Sequence, residues 1–164
     1  MGVQARILVA DDDKLMHAVL DDLLAEAGYV VLSAWDGEEA LAKGRAEAPD
    51  LILLDILMPK RNGIEVAQEL KGDAATRDIP IVIVSSLAGT PAAQASKAEA
   101  YLQKPIHPHD LMKTVWELLA ARRYASKTVG GSSPDAQTSP DAAVREPGGG
   151  AVGAPAGETR SPRR

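Results

Sequence analysis

Cysteine is absent from this 164-residue chain, and so is phenylalanine. The first absence excludes disulfides, thiolate nucleophiles and zinc–thiolate centres, and it fits a reducing compartment. The second requires an aliphatic core of Leu, Val, Ile and Ala. No apolar run approaches the ~20 residues of a membrane-spanning helix, and Met1 to Arg6 leads straight into a short strand-like run instead of a signal peptide. A cytoplasmic protein with no membrane insertion is the expectation. Positive charge is also short, with a formal net charge of −5. From Ala125 onward Lys127, Arg145, Arg160, Arg163 and Arg164 stand against Asp135, Asp141, Glu146 and Glu158, which leaves about −6 on the front. An acidic front argues against nucleic acid as a partner there.

What is present is an alternation of short apolar runs and helical patterns. Four branched residues, Leu51 to Leu54, stop at the carboxylate of Asp55, as suits a strand buried on both faces of a parallel sheet. A first strand over 6–10 ends in Asp11-Asp12-Asp13. A helix follows in which Leu15, Val19, Leu23 and Leu24 recur at helical spacing, with Asp13 as N-cap and Gly28 as stop. A second strand covers 29–34, and Asp36-Gly37 turns the chain into an Ala-rich helix over 38–47, closed by Pro49. Beyond Asp55, Asn62-Gly63 opens a helix over 64–70, and a strand over 79–84 runs into Ser85-Ser86. A weaker, Ala-rich helical stretch lies between 91 and 99. A short strand over 100–103 ends in Lys104-Pro105, and the last helix runs from about His109 through Leu119.

Strands alternating with helices predict an α/β fold: a doubly wound five-stranded parallel sheet with helices on both faces. From residue 125 the periodic pattern gives way to Pro134, Pro140, Pro147, Pro155, Pro162 and the Gly148-Gly149-Gly150 run. This divides the chain into a domain over 1–124 and a disordered tail over 125–164.

One parallel sheet brings Asp11, Asp12, Asp55, Ser85 and Lys104 to the same edge, because each follows a strand directly. Ligands of open α/β sheets bind at that edge. Three converging carboxylates repel, and the remedies are protonation or a bound cation. Oxygen ligands with open positions suit Mg²⁺, which shares its shell readily with a phosphoryl group. Lys104 adds a positive charge and Ser85 a hydroxyl donor, able to hold phosphoryl oxygens carried on, or approaching, Asp55.

With these residues in place, the chain over about 4–124 resembles a response-regulator receiver domain of the two-component signalling family. The resemblance implies a flavodoxin-like sheet of order 2-1-3-4-5 and makes Asp55 the phosphoacceptor, attacking a phosphohistidine on a sensor histidine kinase. It implies Mg²⁺ bound by Asp12, Asp55 and the Leu57 backbone carbonyl, with Asp11 assisting through water. Ser85 takes the place of the family's switch Ser or Thr, Lys104 that of its phosphate-binding Lys, and Tyr101 that of its switch aromatic. Lys104-Pro105 is the family's Lys-Pro pair, commonly cis. Such a domain is not an enzyme in the usual sense, since it catalyses only its own phosphorylation and dephosphorylation.

Departures from the family pattern carry their own expectations. Leu57 and Leu87 occupy positions that often hold polar groups orienting a hydrolytic water, so the resemblance implies a long-lived aspartyl phosphate. The segment 89–99 is shorter than usual and lacks the family's Gly-Ala before the fifth strand, which puts the fourth helix in doubt. His107 and His109 read as exposed loop histidines, Trp35 and Trp116 as packing or surface aromatics. The tail is too short and polar to form an output domain. A stand-alone switch acting on an effector protein is therefore expected. Alternatives are a relay passing its phosphoryl group to a histidine phosphotransfer protein, and a pseudo-receiver that binds partners without phosphorylation. Asp11-x-Asp13 also occurs in haloacid-dehalogenase-type phosphatases, but the cap and second acidic motif which that reading needs are not visible.

Overall fold

The computed structural model describes residues 2–129. They form β1 (Arg6–Ala10), α1 (Lys14–Glu26), β2 (Val30–Ala34), α2 (Gly37–Glu47), β3 (Leu51–Leu54), α3 (Gly63–Gly72), β4 (Ile81–Ser85), α4 (Pro91–Gln94), β5 (Ala100–Gln103) and α5 (Pro108–Val129). The strands make one parallel sheet of order β2-β1-β3-β4-β5, as expected.

Because side chains alternate along a strand, the sheet divides the core in two. Leu8, Ile52, Leu54, Ile81 and Ile83 face α2 and α3, meeting Leu41, Val66 and Leu70. Ile7, Val9, Leu51, Leu53, Val82 and Val84 face α1 and α5, meeting Leu20, Leu24, Leu111, Val115 and Leu119. The three inner strands are buried on both faces apart from the half-exposed Arg6, whereas β2 and β5 at the edges are only half covered.

Local chemistry sets the ends of the helices. Asp13 Oδ1 accepts the Leu15 N–H at 2.9 Å, Asp36 Oδ1 the Glu39 N–H at 2.8 Å and Asn62 Oδ1 the Glu65 N–H at 3.0 Å, satisfying amides that each first turn leaves free. Gly28, at φ 86°, ends α1 with its N–H on the Ala25 carbonyl. At Gly63 a side chain is excluded, since a Cβ would collide with the Asp55 carbonyl oxygen. This residue lets α3 start hard against the end of β3.

Three expectations need correction. The buried face of α1 is His17, Leu20 and Leu24, so Leu15 and Val19 stand in solvent; the helix is phased on i, i+3, i+7 from His17, a residue polarity had removed from the stripe. Helix α4 is a single turn ending at Gln94 and does not reach 99, because Lys97 takes φ 60° and only Ala93 is buried along it. Helix α5 continues to Val129, so residues 125–129 are helical where a tail was expected. No Gly or Pro interrupts that stretch, and the Ser126 and Thr128 hydroxyls bond back to carbonyls of the preceding turn. The rest of the expected tail, 130–164, lies outside the described residues. Among the described residues no helix is long and apolar enough to cross a membrane.

Candidate functional site

Four strand ends meet at one edge of the sheet. β1 delivers Asp11 and Asp12, β3 delivers Asp55, β4 ends in Ser85, and β5 leads into Lys104. Asp11, Asp55 and Ser85 are buried, and Asp12 is exposed. One carboxylate oxygen from each of Asp11, Asp12 and Asp55 lies within 4.8 Å of the others. Lys104 Nζ donates to Asp11 Oδ2 at 2.7 Å and to Asp55 Oδ2 at 3.0 Å. The second oxygens hold the backbone: Asp11 Oδ1 accepts the Asp13 N–H at 2.9 Å, and Asp55 Oδ1 accepts the Ile56 N–H at 2.7 Å. Both buried carboxylates are thus fixed at both oxygens before any ligand arrives.

Burial is the largest single influence on the Lys104 ammonium and pulls its pKa down. Hydrogen bonds and charge from Asp11 and Asp55 together outweigh it and raise the pKa above the ordinary lysine value. One cation among three carboxylates leaves the cluster net negative. An all-oxygen donor set with that charge fits a hard divalent cation such as Mg²⁺.

The switch candidates sit behind this cluster. Ser85 is fully buried, its Oγ accepts the Leu87 N–H at 3.3 Å, and its carbonyl takes the Lys104 N–H at 3.2 Å, tying the ends of β4 and β5. Its hydroxyl is engaged with Leu87, not with Asp55. Tyr101, paired with Ile83 across the sheet, packs on the α2–α3 side and donates its hydroxyl to the Gln94 carbonyl at 3.2 Å. It thereby clips β5 to the end of α4. The Lys104–Pro105 peptide bond is cis, as the resemblance implied. Leu57 and Leu87 both expose their side chains, at 58% and 38%. His107 and His109 are both exposed, as expected, but only His107 lies in a loop, since His109 falls in the first turn of α5.

Sequence reasoning missed His17. Its ring is buried in α1, with Nε2 at 2.7 Å from the Asp11 carbonyl oxygen and 3.1 Å from that of Ala34, while Nδ1 has no partner. Only Nε2 protonated can donate to these two carbonyls. Trp35 stacks on the ring at 3.9 Å between centroids. The available signal was its phase with Leu20 and Leu24 on one helical face.

A family model of the response regulator receiver domain matches residues 7–116. This chain belongs to that family. Receiver domains are signalling modules, and the match takes in Asp11, Asp12, Asp55, Ser85 and Lys104 together. Among curated relatives, the protein PilH of Pseudomonas aeruginosa is 37% identical over 119 residues, covering 71% of this chain and 98% of PilH. A probable transcriptional regulator of Cyanophora paradoxa is 36% identical over 136 residues, covering 80% of this chain and 54% of that protein. The chain therefore spans about half the length of some relatives and nearly all of others. A CheY-like receiver domain protein from Methanospirillum hungatei superposes with a TM-score of 0.71 at 28% identity, covering 75% of this receiver chain and 99% of the other.

Proposed function

We propose that this receiver domain accepts a phosphoryl group from a sensor histidine kinase onto Asp55 and in that state changes which protein it binds. The observation that carries the reading is the Lys104 ammonium bridging the buried carboxylates of Asp11 and Asp55, with Asp12 beside them. In the transfer an Asp55 carboxylate oxygen forms the new P–O bond. The P–N bond of the phosphohistidine breaks, and its electron pair returns to the kinase imidazole.

Asp12 and Asp55, with the Leu57 carbonyl and with Asp11 assisting, would hold Mg²⁺, whose contribution when bound is to offset negative charge on the phosphoryl oxygens. Lys104 is released from Asp55 as that carboxylate becomes an acyl phosphate, and its ammonium then pairs with a phosphoryl oxygen. The Ser85 hydroxyl leaves the Leu87 amide and donates to another. Tyr101 moves toward the space Ser85 vacates and gives up its bond to the Gln94 carbonyl, so α4 loses its clip to β5. Phosphorylation is thus read as a shift in an existing two-state equilibrium at the β4–α4–β5 end of the domain.

Intact mass after incubation with Mg²⁺ and acetyl phosphate, beside Asp55→Ala, tests the reading. The expected result is one added phosphoryl group that needs both Mg²⁺ and Asp55. A gain that survives in Asp55→Ala would sink the assignment. No gain with either the small donor or a kinase would leave a partner-binding module that works unphosphorylated.

A further inference from the structure

Two of the three carboxylates at the strand edge are held by hydrogen bonds, and the third is not. Asp11 and Asp55 share the Lys104 ammonium, and each engages a backbone amide with its other oxygen. Asp12 is exposed, and among the described residues its carboxylate accepts no hydrogen bond and pairs with no cationic side chain. One of its oxygens nevertheless lies within 4.8 Å of one from each of the other two. Its place must come from the backbone that carries it.

That backbone is gripped by His17. The Asp11 carbonyl belongs to the peptide that leads into Asp12, and His17 Nε2 meets its oxygen at 2.7 Å. No backbone amide among the described residues donates to this oxygen. The same Nε2 lies 3.1 Å from the Ala34 carbonyl oxygen, which also accepts the Asp11 N–H at 3.2 Å. Both backbone groups of Asp11 are thus tied to one triangle at the ends of β1 and β2. Because a peptide unit is planar, fixing that carbonyl also fixes the direction in which the chain enters Asp12.

Packing alone does not account for an imidazole here. His17 is 2% exposed and its Nδ1 has no partner, so it carries a desolvated nitrogen that an aliphatic side chain would avoid. Leu20 and Leu24, on the same buried face of α1, are aliphatic. Trp35, the residue after Ala34, stacks on the ring at 3.9 Å between centroids and covers it. Hydrogen bonds kept from water in this way are electrostatically stronger than exposed ones.

We propose that His17 is a positioning residue for Asp12. Its Nε2–H fixes the Asp11–Asp12 peptide, hence the carboxylate that no other group holds, and so sets the affinity of the cluster for a divalent cation. This rests on Asp12 and Asp55 being metal ligands. His17 touches no ligand oxygen and acts only through the backbone, as an outer support of the metal.

Binding of Mn²⁺ to the full chain, with the free ion counted by electron paramagnetic resonance, tests this on variants checked for folding by circular dichroism. His17→Gln puts an amide N–H where Nε2 stands, His17→Asn is too short to reach either carbonyl, and His17→Met fills the volume without a donor. The Gln variant is expected to bind within about threefold of the unaltered chain, and the Asn and Met variants about tenfold more weakly or worse. With Asp12→Asn already in place, the same substitutions should change the residual affinity little, since the carboxylate they misplace is gone. Folded Asn and Met variants that bind normally overturn the proposal and leave the metal ligands standing. A Gln variant as weak as the Met variant overturns it too, as does a loss undiminished by Asp12→Asn, because either result marks packing alone. If neither the Asn nor the Met variant folds, Trp35→Ala decides: admitting water to the two bonds should weaken binding about threefold, and unchanged binding overturns the proposal. An unaltered chain that binds no Mn²⁺, or binds it equally well after Asp55→Ala, defeats the metal ligands and the role of His17 together.

Discussion

Lys104 is the cation on which the resting site depends. Replacing it with Met leaves the Asp11 and Asp55 oxygens facing each other without their shared donor, at an expected cost of about 1–3 kcal/mol for unmaking charge-assisted bonds in a partly buried setting. Divalent salt should restore much of that loss, so Mg²⁺ should raise the melting temperature of Lys104→Met by more than that of the unaltered chain. Equal shifts would mean that the cation does not share the lysine's carboxylates. Leu57 and Leu87 bear on the opposite end of the cycle. Both are apolar and exposed, and neither can orient a water for attack on an acyl phosphate. The phosphorylated form should persist well beyond seconds, and Leu57→Asn with Leu87→Glu should hydrolyse about tenfold faster or more. Decay of the phosphorylated mass with time decides it. Asp55 and Lys104 were legible because each directly follows a short apolar run. His17 was not, since a single imidazole in an amphipathic helix reads as polar until its phase with Leu20 is taken seriously.

Among the elements, α3 is the most tightly committed to the site and α4 the least. Gly63→Ala forces a methyl into the Asp55 carbonyl, so α3 must retreat from β3; a loss of about 1–3 kcal/mol is expected, with slower phosphorylation because the Asp55 backbone moves too. Chemical denaturation beside the acetyl phosphate assay would register both. Unchanged stability would show that the helix can shift without cost. Helix α4 is one turn, held by the Thr90 cap, Ala93 in the core and the Tyr101 hydroxyl on Gln94. Its amides should exchange with solvent far faster than those of β4, and Tyr101→Phe should speed exchange at 93–97 further. Strands β3 and β4 could be read from the sequence because four consecutive branched residues, Leu51 to Leu54 and Ile81 to Val84, have few alternatives. Helix α4 could not, because its end is set by Lys97 turning to positive φ, and α5 runs on past Leu119 where no buried side chain continues its apolar stripe.

At the level of the whole molecule, the α2–α3 surface carries much of the charge that responds to acid. Glu69 is held below the usual carboxylate range chiefly by its hydrogen bond from Arg45. Asp73 is lowered by the Ala75 amide and then by Arg45, and Asp36 by the Glu39 amide and then by Lys60. Depressed folded values mean that this stability is present above the ordinary carboxylate pKa of about 4 and is lost as pH falls through the lower folded values. Melting temperature should therefore drop below about pH 4, and molar salt should soften the fall by screening the Arg and Lys contributions. A melting temperature flat in pH to the acid extreme would contradict the assigned pairs. The parallel sheet was legible from the alternation of elements and its order only from the family resemblance, whereas the pairing of surface charges was not, since Arg45 and Glu69 lie on different helices. The division of the core by the sheet has a practical side for anyone rebuilding this domain. Leu70 and Leu20 lie in separate compartments with a wall of backbone between them. Truncating either to Ala should cost about 2–5 kcal/mol, and truncating both should cost the sum within about 0.5 kcal/mol. Each half-interior can then be redesigned as an independent puzzle, one library at a time, without re-optimising the other.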